Sequence, residues 1–128
     1  MKTTETFYRN YIDCLNSANL EQLSDFIHDK LTYNGKETTL KEYKENRLVE
    51  RKAIPDLYYD IGLLVTDENT IASRLNFNCT PVKEFMGIIP NGNRAIFSEN
   101  VFYKVQQGKI NSVWSLVDID AIREQITS

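Results

Sequence analysis

The sequence predicts an α+β fold in which three N-terminal helices pack on a strongly curved, mostly antiparallel sheet. Three observations carry this. The hydrophobic period changes once, from helical spacing over about the first 50 residues to strict alternation afterwards. Nothing repeats and no stretch reads as a linker, so 128 residues are expected to form a single domain, residues 1–128. The later strands are long, and long strands coil as they twist, so the sheet should bend around the helices and leave a pocket at the mouth of a cone.

The first helix is expected from Thr4 to Asn16, where Phe7, Tyr8, Tyr11, Ile12 and Leu15 make one apolar stripe. Asn19 and Gln22 have the spacing of a reciprocal cap for a second, short helix that buries Leu20, Leu23, Phe26 and Ile27. An extended piece, Leu31 to Asn34, ends at Gly35. Thr39 and Glu42 mark the start of the third helix, whose buried stripe is read as Leu40, Tyr43 and Leu48. Pro55 stops it by Ala53. From Leu57 the period is two: Leu57, Tyr59, Ile61, Leu63 and Val65 share one face. Asp67-Glu68-Asn69 reads as a turn, and Ile71, Leu75, Phe77 and Cys79 line the next strand opposite Arg74, Asn76 and Asn78. Pro81 to Asn93 is a longer connection. The last two strands, Arg94–Val105 and Ile110–Asp118, flank a Gln107-Gly108 turn, and a closing helical turn carries Ile119, Ile122 and Ile126.

Composition narrows the function. Hydrophobic residues are 41% and aromatics 11%, enough for a sizeable core. Fifteen basic against 18 acidic residues leave a net charge of −3, which excludes a nucleic-acid binder working by counterion displacement. No apolar run approaches the roughly 18 residues of a membrane span, and Met1 to Glu5 is polar, unlike a secretion signal. A cytoplasmic protein that acts on neither membrane nor nucleic acid is expected. Cys14, Cys79 and the single histidine, His28, have no metal-ligand spacing, so no metal site is expected and both thiols should be buried and inert. His28 is read as favouring the end of a short helix, and Tyr8, Tyr11 and Tyr43 as core residues with satisfied hydroxyls.

The last hairpin holds the polar residues of interest. A two-residue turn pairs Val105 with Ile110, Tyr103 with Ser112, Val101 with Trp114, Glu99 with Leu116 and Phe97 with Asp118. Glu99, Val101, Tyr103, Trp114 and Asp118 then share a face. A carboxyl in an apolar pocket beside a second one has its pKa raised towards the range useful for proton transfer, which makes Asp118 a candidate acid/base. Asp118 equally suits a cap for the closing helix. A three-residue turn would move Glu99 to the other side from Trp114. Arg74, facing inward, would hold an anionic group; facing outward, with Asn76 and Asn78, it is sheet surface. Asn34 before Gly35 is either a pocket contact or a turn residue.

Phe85-Met86-Gly87, Pro90-Asn91-Gly92-Asn93-Arg94, Gly108-Lys109-Ile110, Trp114, Asp118 and Gln125, taken in order, resemble the SnoaL-like polyketide cyclases, a branch of the nuclear-transport-factor-2-like fold. The resemblance spans nearly the whole chain, with departures at Lys104 and over Asn78 to Val82. It implies a cystatin-like cone, usually dimeric, with a deep apolar pocket. It also implies that Asp118 acts as acid/base in an intramolecular aldol ring closure needing no metal or cofactor. The function so implied is a cofactor-independent acid/base enzyme acting on a hydrophobic, carbonyl-containing small molecule. Asp118 would be catalytic, and Trp114, Glu99, Arg74, Asn34 and Tyr103 would bind substrate. A homodimer is the expected assembly. The alternative is a non-catalytic module of the same fold that binds a small ligand or a partner chain.

Overall fold

A computed structural model describes residues 3–17 and 19–126. Helix α1 is Thr4–Asn16, capped by the Thr3 hydroxyl, which accepts the Thr6 N–H, and it buries Tyr8, Tyr11, Ile12 and Leu15. The second expected helix is instead a 3₁₀ turn, Leu20–Asp25, and the Asn19 side chain makes no capping bond. Six residues are too few to offset helix nucleation, so the tighter turn buries Leu20 and Leu23 without the cap. Strand β1, Ile27–Tyr33, starts earlier than expected because Ile27 finds a parallel partner in Ile110. That puts His28 in a strand, not at a helix end, with its Nε2 2.6 Å from the Gln106 carbonyl.

Strand β2, Lys36–Thr39, pairs with β1 across Asn34-Gly35, whose φ values of 50° and 82° make the tight turn that matches strand twist. Helix α2, Leu40–Ala53, begins where Thr39 accepts the Glu42 N–H at 3.2 Å and ends before Pro55, as expected. The Glu42 carboxylate takes the Thr38 hydroxyl at 2.7 Å. The meander continues through β3 (Asp60–Thr66), β4 (Thr70–Cys79), β5 (Ala95–Gln106) and β6 (Lys109–Val117), and closes on helix α3 (Ile119–Ile126). The sheet order is β2-β1-β6-β5-β4-β3, antiparallel throughout except where β1 meets β6.

Two bulges decide which side chains face in. In β3, Ile61 pairs with Leu75 and Leu63 with Arg74, so Gly62 is extra. The expected single face therefore breaks: Leu57 and Tyr59 are buried, whereas Leu63 and Val65 are exposed. In β6, Val105 pairs with Ile110 as expected, but Lys104 pairs with Ser112 and leaves Asn111 unmatched. Beyond it Tyr103 faces Val113, Phe102 faces Trp114, Val101 faces Ser115 and Glu99 faces Val117. The two-residue turn is correct, yet every later pair slips by one.

The inner face packs on α1 and α2. Four buried tyrosines form its centre, with hydroxyls paired as expected: Tyr8 with Tyr103 at 3.4 Å, and Tyr11 with Tyr43. Burial raises all four pKa values, that of Tyr8 to about 12. Cys14 and Cys79 are free and buried, and burial pushes the Cys79 thiol up to about 11. In α3, Gln125 accepts the Ile96 N–H at 2.7 Å and donates to the Ile96 carbonyl at 2.6 Å, completing β5 past the end of β6. Among the described residues, no helix is long and apolar enough to cross a membrane.

Candidate functional site

Helix α2 carries the central feature. Leu40 and Tyr43 open its buried stripe, and the steps of three and four continue through Arg47 and Glu50 to Ile54. Two opposite charges thus stand where apolar side chains would. Their ion pair has an Nε–Oε1 distance of 2.9 Å, with side chains 14% and 26% exposed. The contact is ionic and lacks the alignment of a hydrogen bond. The guanidinium lies 4.7 Å from the centroid of the Tyr43 ring.

Arg47 and Glu50 face a cavity of about 50 Å3 between α2 and the inner face of β4–β6. Its walls are aromatic: Tyr59 meets Phe77 edge-on at 5.4 Å, and Phe77 stacks on Phe97 at 5.0 Å. Glu99 enters from β5, its carboxylate accepting the Ser115 hydroxyl across the β5–β6 pair. Burial raises the pKa of Glu50, Arg47 opposes the rise, and the charge of Glu99 adds to it. Burial is the largest single influence on Arg47 and works against its charge, but Glu50 together with Tyr43, Tyr59 and Tyr33 outweighs it and the guanidinium stays cationic. Burial, then Glu50, keeps the proton on Tyr59.

A second cleft of about 430 Å3 lies outside this chamber and shares Tyr33, Arg47, Glu50, Phe85 and Met86 with it. That volume lies in the ordinary range for small-molecule sites, roughly 300–1,000 Å3. The outer sheet face holds a larger apolar groove of about 530 Å3, between Leu63, Val65, Phe102 and Trp114, but among the described residues no carboxylate borders it. The inner chamber, by contrast, brings two partly buried carboxylates, Glu50 and Glu99, and a cation to one cavity.

The sequence profile of the SnoaL-like polyketide cyclases matches residues 5–126. The chain belongs to this family. A SnoaL-like polyketide cyclase from Agrobacterium tumefaciens is 38% identical, with 97% of this chain and 98% of that one covered and a TM-score of 0.92. TsrD from Streptomyces laurentii, at 15% identity, covers 97% and 94% with a TM-score of 0.87. IdmH from Streptomyces antibioticus, at 18%, covers 94% and 95% with a TM-score of 0.82. These last two show the shared fold. A search of curated proteins gave no match.

Against the family pattern, the structure distributes the expected site residues widely. Glu99 lines the chamber. Tyr103 faces in but lies deeper, bonded to Tyr8. Trp114 is corrected to the outer face by the Asn111 bulge, and is 41% exposed beside Phe102. Arg74 also faces outward, 3.3 Å from Asn100 Oδ1, because Ser73 and Leu75 take the inner positions. Asn34 accepts the Ser115 N–H at 2.8 Å, tying the β1 turn to β6 outside the chamber. Asp118 is exposed and does not share a face with Glu99. It borders an outer cleft with Arg74 and Asn100, and its Oδ1 accepts the Ala121 N–H at 3.2 Å, the capping geometry. Arg47 and Glu50 were missed. Their signal was positional: two charges three residues apart on the stripe of Leu40 and Tyr43.

Proposed function

We propose that this SnoaL-like protein is an acid/base enzyme working with side chains alone on a carbonyl-containing small molecule. In this reading the reacting end of the substrate enters the inner chamber and its body fills the outer cleft. Glu99 is the base. It removes a proton from the carbon next to a carbonyl, while the Ser115 hydroxyl holds its carboxylate in place. Arg47 stabilises the charge that develops on the carbonyl oxygen. Glu50, whose proton affinity burial raises, takes this proton from Glu99 and gives it to the second carbonyl oxygen as the carbon–carbon bond closes. Both carboxylates end as they began, so an aldol closure or an isomerisation balances without another reactant.

The observation that carries the reading is the buried Arg47–Glu50 pair with Glu99 at the same cavity. Removing such charges from water costs several kcal/mol per ion, and a pair of well-packed apolar residues is often as stable or more so. A stability role alone accounts poorly for it. Asp118 has no part in this scheme. The test is deuterium exchange next to the carbonyl of a cyclic β-keto ester, followed by NMR. Glu99→Gln and Glu50→Gln should each slow the enzymatic exchange by about 10²- to 10⁴-fold, the usual worth of a positioned acid or base. Exchange at the wild-type rate in both variants would refute the scheme.

The assembly belongs to the same proposal. Leu63, Val65, Phe102 and Leu116 are each more than half exposed and, with Trp114, border one groove on the outer sheet face. A contiguous patch of this kind marks an association surface, and a second copy meeting it across a two-fold axis would cover it with its like.

A further inference from the structure

We infer that the Met86-Gly87 turn is a gate between the outer cleft and the inner chamber, and that Met86 sets the size of molecule that passes. The inference rests on the acid/base reading for its purpose, but not for its geometry. Five residues border both cavities. Tyr33, Arg47 and Glu50 sit on β1 and α2 and are fixed by regular structure. Phe85 and Met86 are the only two on a loop. They form the partition that can move.

The turn is built to move as a unit. Phe85 donates its N–H to the Ile88 carbonyl at 3.1 Å, and Ile88 returns the bond at 2.8 Å. Just upstream, the Val82 N–H anchors the loop to the Ala53 carbonyl at 2.7 Å. Among the described residues, no hydrogen bond from 84–92 reaches outside that loop. Packing of Phe85 and Ile88, both buried, is what holds the turn down. Segments secured by a few side chains and self-contained hydrogen bonds open at the low end of the free-energy range.

Met86 is also an odd choice for its place. Its φ is 51° and that of Gly87 is 74°, the pair of left-handed values that favours Asn-Gly or Gly-Gly. An unbranched thioether suits this backbone poorly but adapts well to irregular apolar shapes. It stands 44% exposed at the boundary. The closed chamber, at about 50 Å3, holds only a few water molecules, since one needs roughly 10–15 Å3. A substrate atom reaches Glu99 only if this partition yields.

Labelling of a buried thiol tests the gate without any substrate. Val117→Cys places a thiol on the chamber wall, in a chain whose own cysteines are replaced (Cys14→Ala, Cys79→Ala); Phe97→Cys is a second position if the first fails to fold. Methyl methanethiosulfonate serves as the small reagent and 5,5′-dithiobis(2-nitrobenzoate) as the bulky one. Met86→Ala should speed the bulky reagent at least tenfold and leave the small one within twofold, and Met86→Trp should slow the bulky one by a similar factor. Rates insensitive to Met86, or both reagents changing in parallel, would overturn the gate. β-Keto ester exchange in the Glu50 and Glu99 variants reports separately on the acid/base reading, so either can fail alone.

Discussion

Replacing Arg47 by Met tests the electrostatics on which the site depends. The substitution keeps an unbranched apolar stem over Tyr43 and removes the only cation that borders the chamber among the described residues. Breaking a fully buried ion pair costs about 3–5 kcal/mol, because the remaining charge is left uncompensated. Side chains 14% and 26% exposed retain some hydration, so about 2–3 kcal/mol is expected at pH 8. The sign with pH follows from Glu50. Its folded pKa is already above the ordinary 4.5 and rises further without Arg47, so above that pH the folded state binds more protons than the unfolded state. Stability of the variant, relative to wild type, must fall as pH rises through this window. Below pH 4.5 Glu50 is protonated in both states, and only the cation–π contact and packing remain, about 1 kcal/mol. Urea unfolding followed by circular dichroism at pH 4 and pH 8 measures both. With a slope of about 1–3 kcal/mol/M, the midpoint should drop by about 1–2 M at pH 8 and less at pH 4. A loss under about 0.5 kcal/mol at both pH values, or a larger loss in acid, would refute the reasoning.

Asp118→Ala removes the α3 cap and should cost about 1 kcal/mol in the same unfolding assay. It should leave deuterium exchange of the β-keto ester within twofold, and a collapse of exchange would return the acid/base role to Asp118. Gly62→Ala places a Cβ 2.4 Å from Asn76 Nδ2, which must swing aside. Asn76 is an exposed, flexible side chain, so a loss of about 1 kcal/mol in thermal unfolding is expected; more than 3 kcal/mol would mean that the backbone, not the amide, resists. Leu116→Glu puts a charge in the outer patch and should convert a dimer to a monomer in sedimentation equilibrium. A wild-type chain that sediments as a monomer would remove the dimer proposal.

Helix limits were legible because their signals are local. Thr39, Glu42 and Pro55 fix both ends of α2 within a few residues of themselves. Strand β2 was not legible: Lys36-Glu37-Thr38-Thr39 has no apolar residue and becomes a strand only because β1 offers it an edge. The face of Glu99 is open in the sequence, because alternation puts it with Val101 and Tyr103 without saying which side is buried; it turns inward because β5 runs without interruption along its pairing with β4, opposite the buried Leu75. Arg47 and Glu50 were lost to a sound habit. Charged residues on a helix are ordinarily solvent-facing, so the sequence points to Leu48 for the stripe, whereas it is exposed and the charges are inside.

That Asp118 and Glu99 lie on opposite faces traces to a single unpaired residue. Side chains alternate with period two, so one extra residue in one strand exchanges inner and outer faces for everything beyond it. Asn111 does this to β6: it sends Trp114 and Leu116 outward, and brings Ser115 in beside Glu99. Gly62 does it to β3, turning Leu63 and Val65 outward towards that same Trp114 and Leu116. The two bulges act together. One surface of the sheet gains an apolar patch suited to a second copy, and the other gains a hydroxyl–carboxylate pair beside a buried cation. Deleting Asn111 should therefore reverse both at once, with Trp114 turning to the inner face and Ser115 to the outer one. A change affecting only one face would mean that the faces are set independently.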